Sequence, residues 1–219
     1  MRQTGHREPQ SGAVTRRLLL AGAPALVLPG CTGNLLGPPE AGTIYTLHPA
    51  FAPAPGERVD WALAVMQPDM PQSLDTDRIA LIQADGTMDY YAKANYPDRL
   101  SAMVQRALLD GFEASGRIAQ VAREQDALHA DYNLIAEVKD FEAKYAAPDT
   151  APQALAAITV KLVTARGRKV AGTFTTTQTA NAQVNSVAAA AQALGQALGA
   201  AVSAIVGWTL AAPSPTVPR

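Results

Sequence analysis

Residues 97–116 read PDRLSAMVQRALLDGFEASG, and this stretch decides the fold class because it contains the clearest helix in the chain. Pro97 suits the first turn of a helix, where a missing N–H costs nothing, and Gly116 suits the position after its end. The apolar side chains that recur at helical spacing and predict one buried face are Leu100, Met103, Val104, Ala107, Leu108 and Phe112.

Strand patterns surround this helix. Arg78–Gln83 and Thr87–Ala92 are joined through Asp85-Gly86, which is a strong hairpin signal because Gly accepts a positive φ. The other segments with strand-like patterns are Thr43–Leu47, Val59–Val65, Arg117–Arg123, Tyr132–Tyr145, Ala154–Thr164 and Val170–Thr177. Within Tyr132–Tyr145, Ile135 and Phe141 fall on the second face, which predicts a strand covered on both sides.

The C-terminal region combines a helical period with a lack of charge, since no charged residue lies between Lys169 and Arg219. One interpretation is a helix that enters a membrane or binds a partner. The other is a helix of small residues that lies flat on the sheet, which its interspersed Gln, Asn and Ser residues favour. The apolar positions of its period are Val184, Val187, Ala191, Leu194, Leu198, Val202, Ile205 and Trp208.

Together these elements predict an α+β fold in a single domain, with a mostly antiparallel sheet and two main helices packed on one face. The aromatic content of 5% leaves this core to aliphatic residues. A net charge of −1 gives no indication of nucleic-acid binding.

The N-terminus carries the features of a bacterial export signal. Arg16 and Arg17 precede a short apolar run, and Leu28-Pro29-Gly30-Cys31 resembles a lipobox, with Pro29 where a smaller residue is commoner. The arginine pair fits a twin-arginine signal and an ordinary cationic region equally well. Acyl chains on Cys31, the only cysteine, would anchor the protein, and Thr32 rather than Asp favours the outer membrane.

These features divide the chain into four parts. Residues 1–30 are the predicted signal peptide, which leaves a mature chain of 189 residues. Residues 31–58 are predicted to be the lipidated cysteine and a Pro-rich linker with one short strand. Residues 59–210 form the predicted domain, and residues 211–219 a disordered tail.

The sequence offers little for catalysis. Asp75-Thr76-Asp77 has two carboxylates that could share a divalent cation, but a polar turn before a strand explains them better because no third ligand follows at loop spacing. The histidines lack metal-ligand spacing, and no nucleophile elbow or phosphate-binding glycine loop is present. We therefore expect neither an enzyme nor a metal or other cofactor beyond the lipid on Cys31.

Several short stretches, in this order behind the lipobox, resemble one family. They are Leu74-Asp75-Thr76-Asp77-Arg78-Ile79, Asp89-Tyr90-Tyr91-Ala92, residues 100–116, Asp131-Tyr132-Asn133-Leu134, residues 140–145, and Ile205-Val206-Gly207-Trp208. The family is that of the ABC-type transport auxiliary lipoproteins (PqiC-like), and the resemblance covers about residues 43–208. Asn95-Tyr96 departs from it, since the family often carries a Trp there.

The resemblance implies a fold similar to the amino-terminal domain of TolB and brings no catalytic residues. It also implies an outer-membrane lipoprotein facing the periplasm, with an MCE-domain (MlaD-like) protein, an ABC permease and an ATPase as partners. The cargo would be membrane lipid, and a homo-oligomer is compatible with an oligomeric MCE partner. The alternatives are an envelope-assembly scaffold or chaperone of the lipopolysaccharide-assembly type, a periplasmic hydrolase, and direct lipid binding by the terminal helix.

Overall fold

The computed structural model describes residues 42–127 and 129–214. Within these ranges the chain forms eight strands and two helices. In chain order they are β1 (Thr43–Ile44), β2 (Val59–Val65), β3 (Arg78–Ile82), β4 (Met88–Asn95), α1 (Leu100–Ser115), β5 (Ile118–Arg123), β6 (Tyr132–Lys144), β7 (Gln153–Thr164), β8 (Val170–Asn181) and α2 (Val187–Thr209).

The sheet branches at β6. On one side β7 pairs with the whole length of β6 in antiparallel orientation, and β8 pairs with β7 in the same way. On the other side the start of β6 pairs with β2 and its end with β3, both in parallel orientation. β5 then extends the sheet beside β2, while β4 and β1 extend it beside β3. The sheet is thus mostly antiparallel but mixed, and the predicted α+β class is confirmed.

The two helices cover one face of this sheet and contact each other. α1 lies against β2 and β5, whereas α2 lies against β6, β7 and β8. The helices approach each other closely at Gly111, where an added Cβ would lie 2.4 Å from Cγ1 of Val202. The largest fully buried side chains, which form the core, are Phe112, Phe141, Leu63, Ile79, Leu100, Leu108, Leu134, Ile158, Leu162, Leu194, Leu198 and Ile205.

The observed limits of α1 agree closely with the sequence. Gly116 ends the helix in the left-handed conformation, with φ of 64°, and its N–H donates to the carbonyl of Glu113. A side chain with a Cβ would be strained there, which is why Gly fits the position. The helix begins at Leu100 rather than at Pro97, because Leu100 N–H donates to the Thr76 carbonyl and fixes the entry of the chain.

α2 is a core helix. It begins after Ser186, whose side chain accepts a hydrogen bond from Ala189 N–H and so satisfies one of the free donors of the first turn. By length and composition it could span a membrane, but 67% of its most apolar segment of 18 residues is buried inside the protein. Leu194, Leu198 and Ile205 are each at most 1% exposed. The interpretation of a helix lying flat on the sheet is therefore the one the structure supports.

β6 differs from its prediction because of a β-bulge. The register between β6 and β7 shifts between Val138 and Asp140, so that Phe141 falls on the same face as Val138. Phe141 is consequently buried under the helices, whereas Ile135 is 42% exposed on the opposite face. The prediction that these two residues lie on the same face, and so cover the second side of the strand, was wrong. Side chains of a regular strand point alternately to its two faces, and the extra residue of the bulge reverses this order from Asp140 onward.

Candidate docking surfaces

The residues predicted to carry lipid attachment and export lie outside the described part of the chain. They are Arg16, Arg17, Leu28, Gly30 and Cys31, and their roles stay predictions. The first described residue, Gly42, follows Cys31 by eleven positions. A fully extended chain of that length spans at most about 40 Å, which bounds the distance between Gly42 and any anchor on Cys31.

Part of the predicted linker is packed on the domain. We call residues 45–54 the strap, because this extended segment crosses α2. Its start is fixed by the hydrogen bond from Tyr45 N–H to the Asn95 carbonyl, at 2.8 Å. Leu47 is only 7% exposed and belongs to the core. Residues 43–58 of the predicted linker are therefore part of the folded domain rather than a free spacer. The domain begins well before residue 59.

The strap fits α2 because that helix presents small residues at a spacing of four. A Cβ on Gly195 would lie 3.2 Å from the backbone nitrogen of His48, and a Cβ on Gly199 only 2.4 Å from the carbonyl oxygen of Ala50. One turn further, the hydroxyl of Ser203 accepts from Ala52 N–H at 2.9 Å and donates to the Gly199 carbonyl. The spacing Gly-x-x-x-Gly-x-x-x-Ser was the sequence signal for this contact, and the sequence interpretation missed it.

The C-terminal end also packs on the domain as far as it is described. The hydroxyl of Tyr132 donates to the carbonyl of Pro213, and the hydroxyl of Ser214 donates to Asp60. Residues 215–219 lie outside the described ranges, so for them the predicted disordered tail stays a prediction.

The carboxylates of the Asp75-Thr76-Asp77 motif are used in local structure. Asp77 accepts from the side-chain amide of Asn95 at 3.0 Å, and Asp75 forms an ion pair with Arg99 at 3.2 Å. Hydrogen bonding to Ser101, together with Arg99, lowers the pKa of Asp75. Because Asp75 holds the turn to the start of α1 and Asp77 holds it to the end of β4, the polar-turn interpretation fits. Among the described residues, no group of three or more His, Cys, Asp or Glu side chains could hold a metal.

A groove of about 350 Å³ lies between the strap, α1 and β5. Its apolar part includes Leu47, Met103 and Leu198, and its rim carries Arg106 and Arg123. Arg106 forms an ion pair with Asp110 one helical turn away, at 3.1 Å. The groove thus joins an apolar floor to a polar rim, a combination that suits binding rather than catalysis.

A second cavity, of about 420 Å³, lies where β2 and β5 meet the connection between β5 and β6. Asp126 and His129 are the titratable residues that line it, among small apolar side chains such as Ala62 and Ala130. Among the described residues that line this cavity there is no serine, threonine or cysteine, so His129 has no hydroxyl or thiol beside it to activate.

In the described chain, no helix lies against the sheet face opposite α1 and α2, and β8 pairs with a strand on one side only. The outward side chains of β8 are exposed threonines: Thr173, Thr175, Thr177 and Thr179. Thr159 and Lys161 of β7 share this face, as the sequence predicted.

On the helix side of the sheet, the edge strand β8 carries one aromatic residue, Phe174. Phe174 stacks on Trp208 of α2 with ring centroids 5.4 Å apart, and both residues are half-buried. Aromatic surface that stays partly exposed at a sheet edge is available to a partner.

Comparisons with known proteins identify the family. The model for the ABC-type transport auxiliary lipoprotein component matches residues 45–206, which include the strap, α1 and most of α2. Protein XCC0632 from Xanthomonas campestris, of family DUF330, is a similar solved structure, with 31% identity over 77% of this chain and 94% of that one and a TM-score of 0.72. An uncharacterised protein of known structure shares the fold at 14% identity, covering 76% of this chain and 99% of its own, with a TM-score of 0.60.

The comparison with curated proteins finds no match. The family is one of auxiliary transport components rather than of enzymes, and it places the protein in the cell envelope in association with an ABC transporter. The family match covers nearly the whole described domain. The chain therefore belongs to the family of ABC-type transport auxiliary lipoprotein components.

Proposed function

We propose that this protein is a lipoprotein of the outer membrane that faces the periplasm and docks the MCE-domain component of an intermembrane lipid transport system. Its lipid anchor is Cys31, its further partners are the ABC permease and ATPase of the same system, and its cargo is membrane lipid. The protein contributes position rather than chemistry to transport.

The observation that carries the proposal is the family match over residues 45–206, behind a lipobox-like sequence that ends at Cys31. The start of the matched region lies only fourteen positions after Cys31. Two or three acyl chains hold a protein durably at a membrane, because each buried CH₂ contributes about 0.8 kcal/mol. A domain held this close raises the effective concentration of its partner at the membrane without a tight interface.

The domain itself supports an adaptor better than a catalyst. The described lining of the two cavities above contains no serine or cysteine beside a histidine, and the carboxylates of the Asp75 motif are engaged in structure. The large aliphatic side chains of the apolar face of α2, such as Leu194, Leu198 and Ile205, are buried against the sheet, so they are not available to bind lipid in this conformation.

The test is co-purification from gently solubilised membranes, with the native protein compared with Cys31→Ala and bound proteins identified by mass spectrometry. We expect the MCE and ABC subunits with the native protein, and an intact mass that includes the acyl chains. Envelope-assembly factors without MCE subunits would support the scaffold alternative and overturn the proposal. A native protein of unmodified mass in the soluble fraction would overturn the anchor.

A further inference from the structure

β5 is an edge strand with free backbone groups on its outer side. In the described chain it pairs only with β2, in parallel orientation. The carbonyl of Arg117 accepts from Val59 N–H, and successive residues of a strand direct their N–H and C=O groups to alternate sides. Ile118, Gln120 and Ala122 therefore direct these groups away from β2, and no backbone hydrogen bond within the described chain reaches them there. Such groups match the backbone of another β-strand.

The two cavities described above border this edge on opposite faces of the sheet. The register with β2 places Arg123 beside the buried Val65, on the face that α1 covers, and Arg123 lines the groove of about 350 Å³. Gln120 and Ala122 point to the other face, and they line the cavity of about 420 Å³. A strand added to β5 would direct its side chains alternately toward these two cavities. Proteins that bind an extended peptide at a sheet edge obtain their specificity from such an arrangement.

Arg123 provides an unmatched positive charge at this edge. The residue is half-buried, and in the described chain its guanidinium forms neither an ion pair nor a side-chain hydrogen bond. The carboxylates nearby each accept a hydrogen bond from another group, which is Arg106 for Asp110, the N–H of Arg99 for Asp98, and the side-chain amide of Gln105 for Glu124. A half-buried cation without a partner is unfavourable, and a carboxylate beside it forms a strong, charge-assisted hydrogen bond.

We propose that β5 is the docking edge for an extended segment of the MCE component, which adds to the sheet as a further strand and places a carboxylate beside Arg123. This inference rests on the proposed function and names the surface that performs it. Free backbone groups recognise a polypeptide rather than a lipid, and they provide the affinity. On the face opposite α1, the small apolar lining of the cavity, such as Ala62 and Ala130, fits an aliphatic side chain of the added strand.

The test uses the full chain in detergent and the purified MCE component of the same system. Amide hydrogen exchange is compared between the free and the bound chain. We expect slower exchange over Ile118–Arg123 in the complex, and unchanged exchange in β8, which is also an edge strand. Arg123→Glu should weaken binding about tenfold or more, because it places two carboxylates together. Arg166→Glu is the matched control, since it makes the same change of charge at an exposed residue between β7 and β8, and it should leave the affinity unchanged.

The outcomes separate this inference from the proposed function. Exchange in the unaltered chain keeps the test decisive if Arg123→Glu fails to fold. A complex in which β5 exchanges as fast as in the free chain, or in which β8 is slowed instead, would overturn the docking edge and leave the proposed function intact. A folded Arg123→Glu variant that binds with unaltered affinity would do the same. An unaltered chain that does not bind the MCE component would refute the proposed function, and the docking edge with it.

Discussion

Gly199→Ala tests the contact between the strap and α2. A Cβ at this position would lie 2.4 Å from the carbonyl oxygen and 2.9 Å from the nitrogen of Ala50, and both atoms belong to the backbone. A flexible side chain could move aside, but the strap backbone is held at Leu47 and Ala52. The substitution therefore forces either a strained helix contact or the release of the strap.

The magnitude follows from what the release would cost. Exposing Leu47 loses about 1.5–3 kcal/mol of burial, and loss of the bond from Ala52 N–H to Ser203 removes about 1 kcal/mol more. The replacement of Gly by Ala inside a helix returns about 0.5–1 kcal/mol. We therefore expect a net destabilisation of about 1–3 kcal/mol, because partial relaxation of the contact lowers the full cost.

The assay is urea denaturation of the full chain, with the melting temperature as a second measure. A domain of this size loses about 2–4 °C per kcal/mol. Gly207→Ala is the matched control, because it lies in the same helix and a Cβ there meets nothing within 4 Å. We expect this control to stabilise the protein by about 0.5–1 kcal/mol. Equal stabilisation by Gly199→Ala would refute the packing of the strap on α2.

Three further predictions concern the helices and β6. Ser186→Ala removes the N-cap of α2 and should lower the free energy of unfolding by about 1 kcal/mol in urea titration, and an unchanged value would contradict the capping role. Gly111→Ala drives a methyl group against Val202, so a loss of about 1–2 kcal/mol is expected, whereas a gain would mean that the helices can separate freely. Burial, together with the charge of Asp140, raises the pKa of Glu142 above its unfolded value of 4.5, so its contribution to stability is greatest at low pH and is lost as pH rises through the folded pKa. Glu142→Gln cannot ionise and so does not lose stability in this way. In thermal melts, its melting temperature should therefore rise relative to that of the unaltered chain between pH 4 and pH 7. A difference that stays constant with pH would exclude the linkage.

The elements that the sequence predicted well depend on local pattern. α1, β2 and β7 were placed to within a few residues, because periodicity, Gly116 and the turn residues act over short distances in the chain. The pairing of the strands could not be derived in the same way. β2 and β3 lie beside different halves of β6, and nothing within the short segments Val59–Val65 or Arg78–Ile82 encodes that choice. The choice of partner strand depends on which arrangement buries the apolar faces of both helices at once.

The errors at residue level have similar causes. Phe141 was assigned to the wrong face of β6. One extra residue in the bulge exchanges the faces to which all later side chains point, and no feature of the sequence marks the bulge. The strap was predicted as linker because its prolines break any period, although the small residues of α2 provide its binding surface. The anchor at Cys31 depends only on a contiguous motif, the lipobox-like sequence, and it stays a prediction.

The strap connects stability to the proposed function, because it determines how far the domain can move from the membrane. With the strap bound, the chain between the proposed anchor at Cys31 and the domain spans at most about 40 Å. If residues 43–58 were released, the free segment would extend to β2 at Val59, and its reach would rise to roughly 90–100 Å. The effective concentration of a tethered partner falls roughly as the −3/2 power of tether length once the tether exceeds the span. Gly199→Ala should therefore weaken docking at the membrane as well as folding, although Gly199 itself lies under the strap.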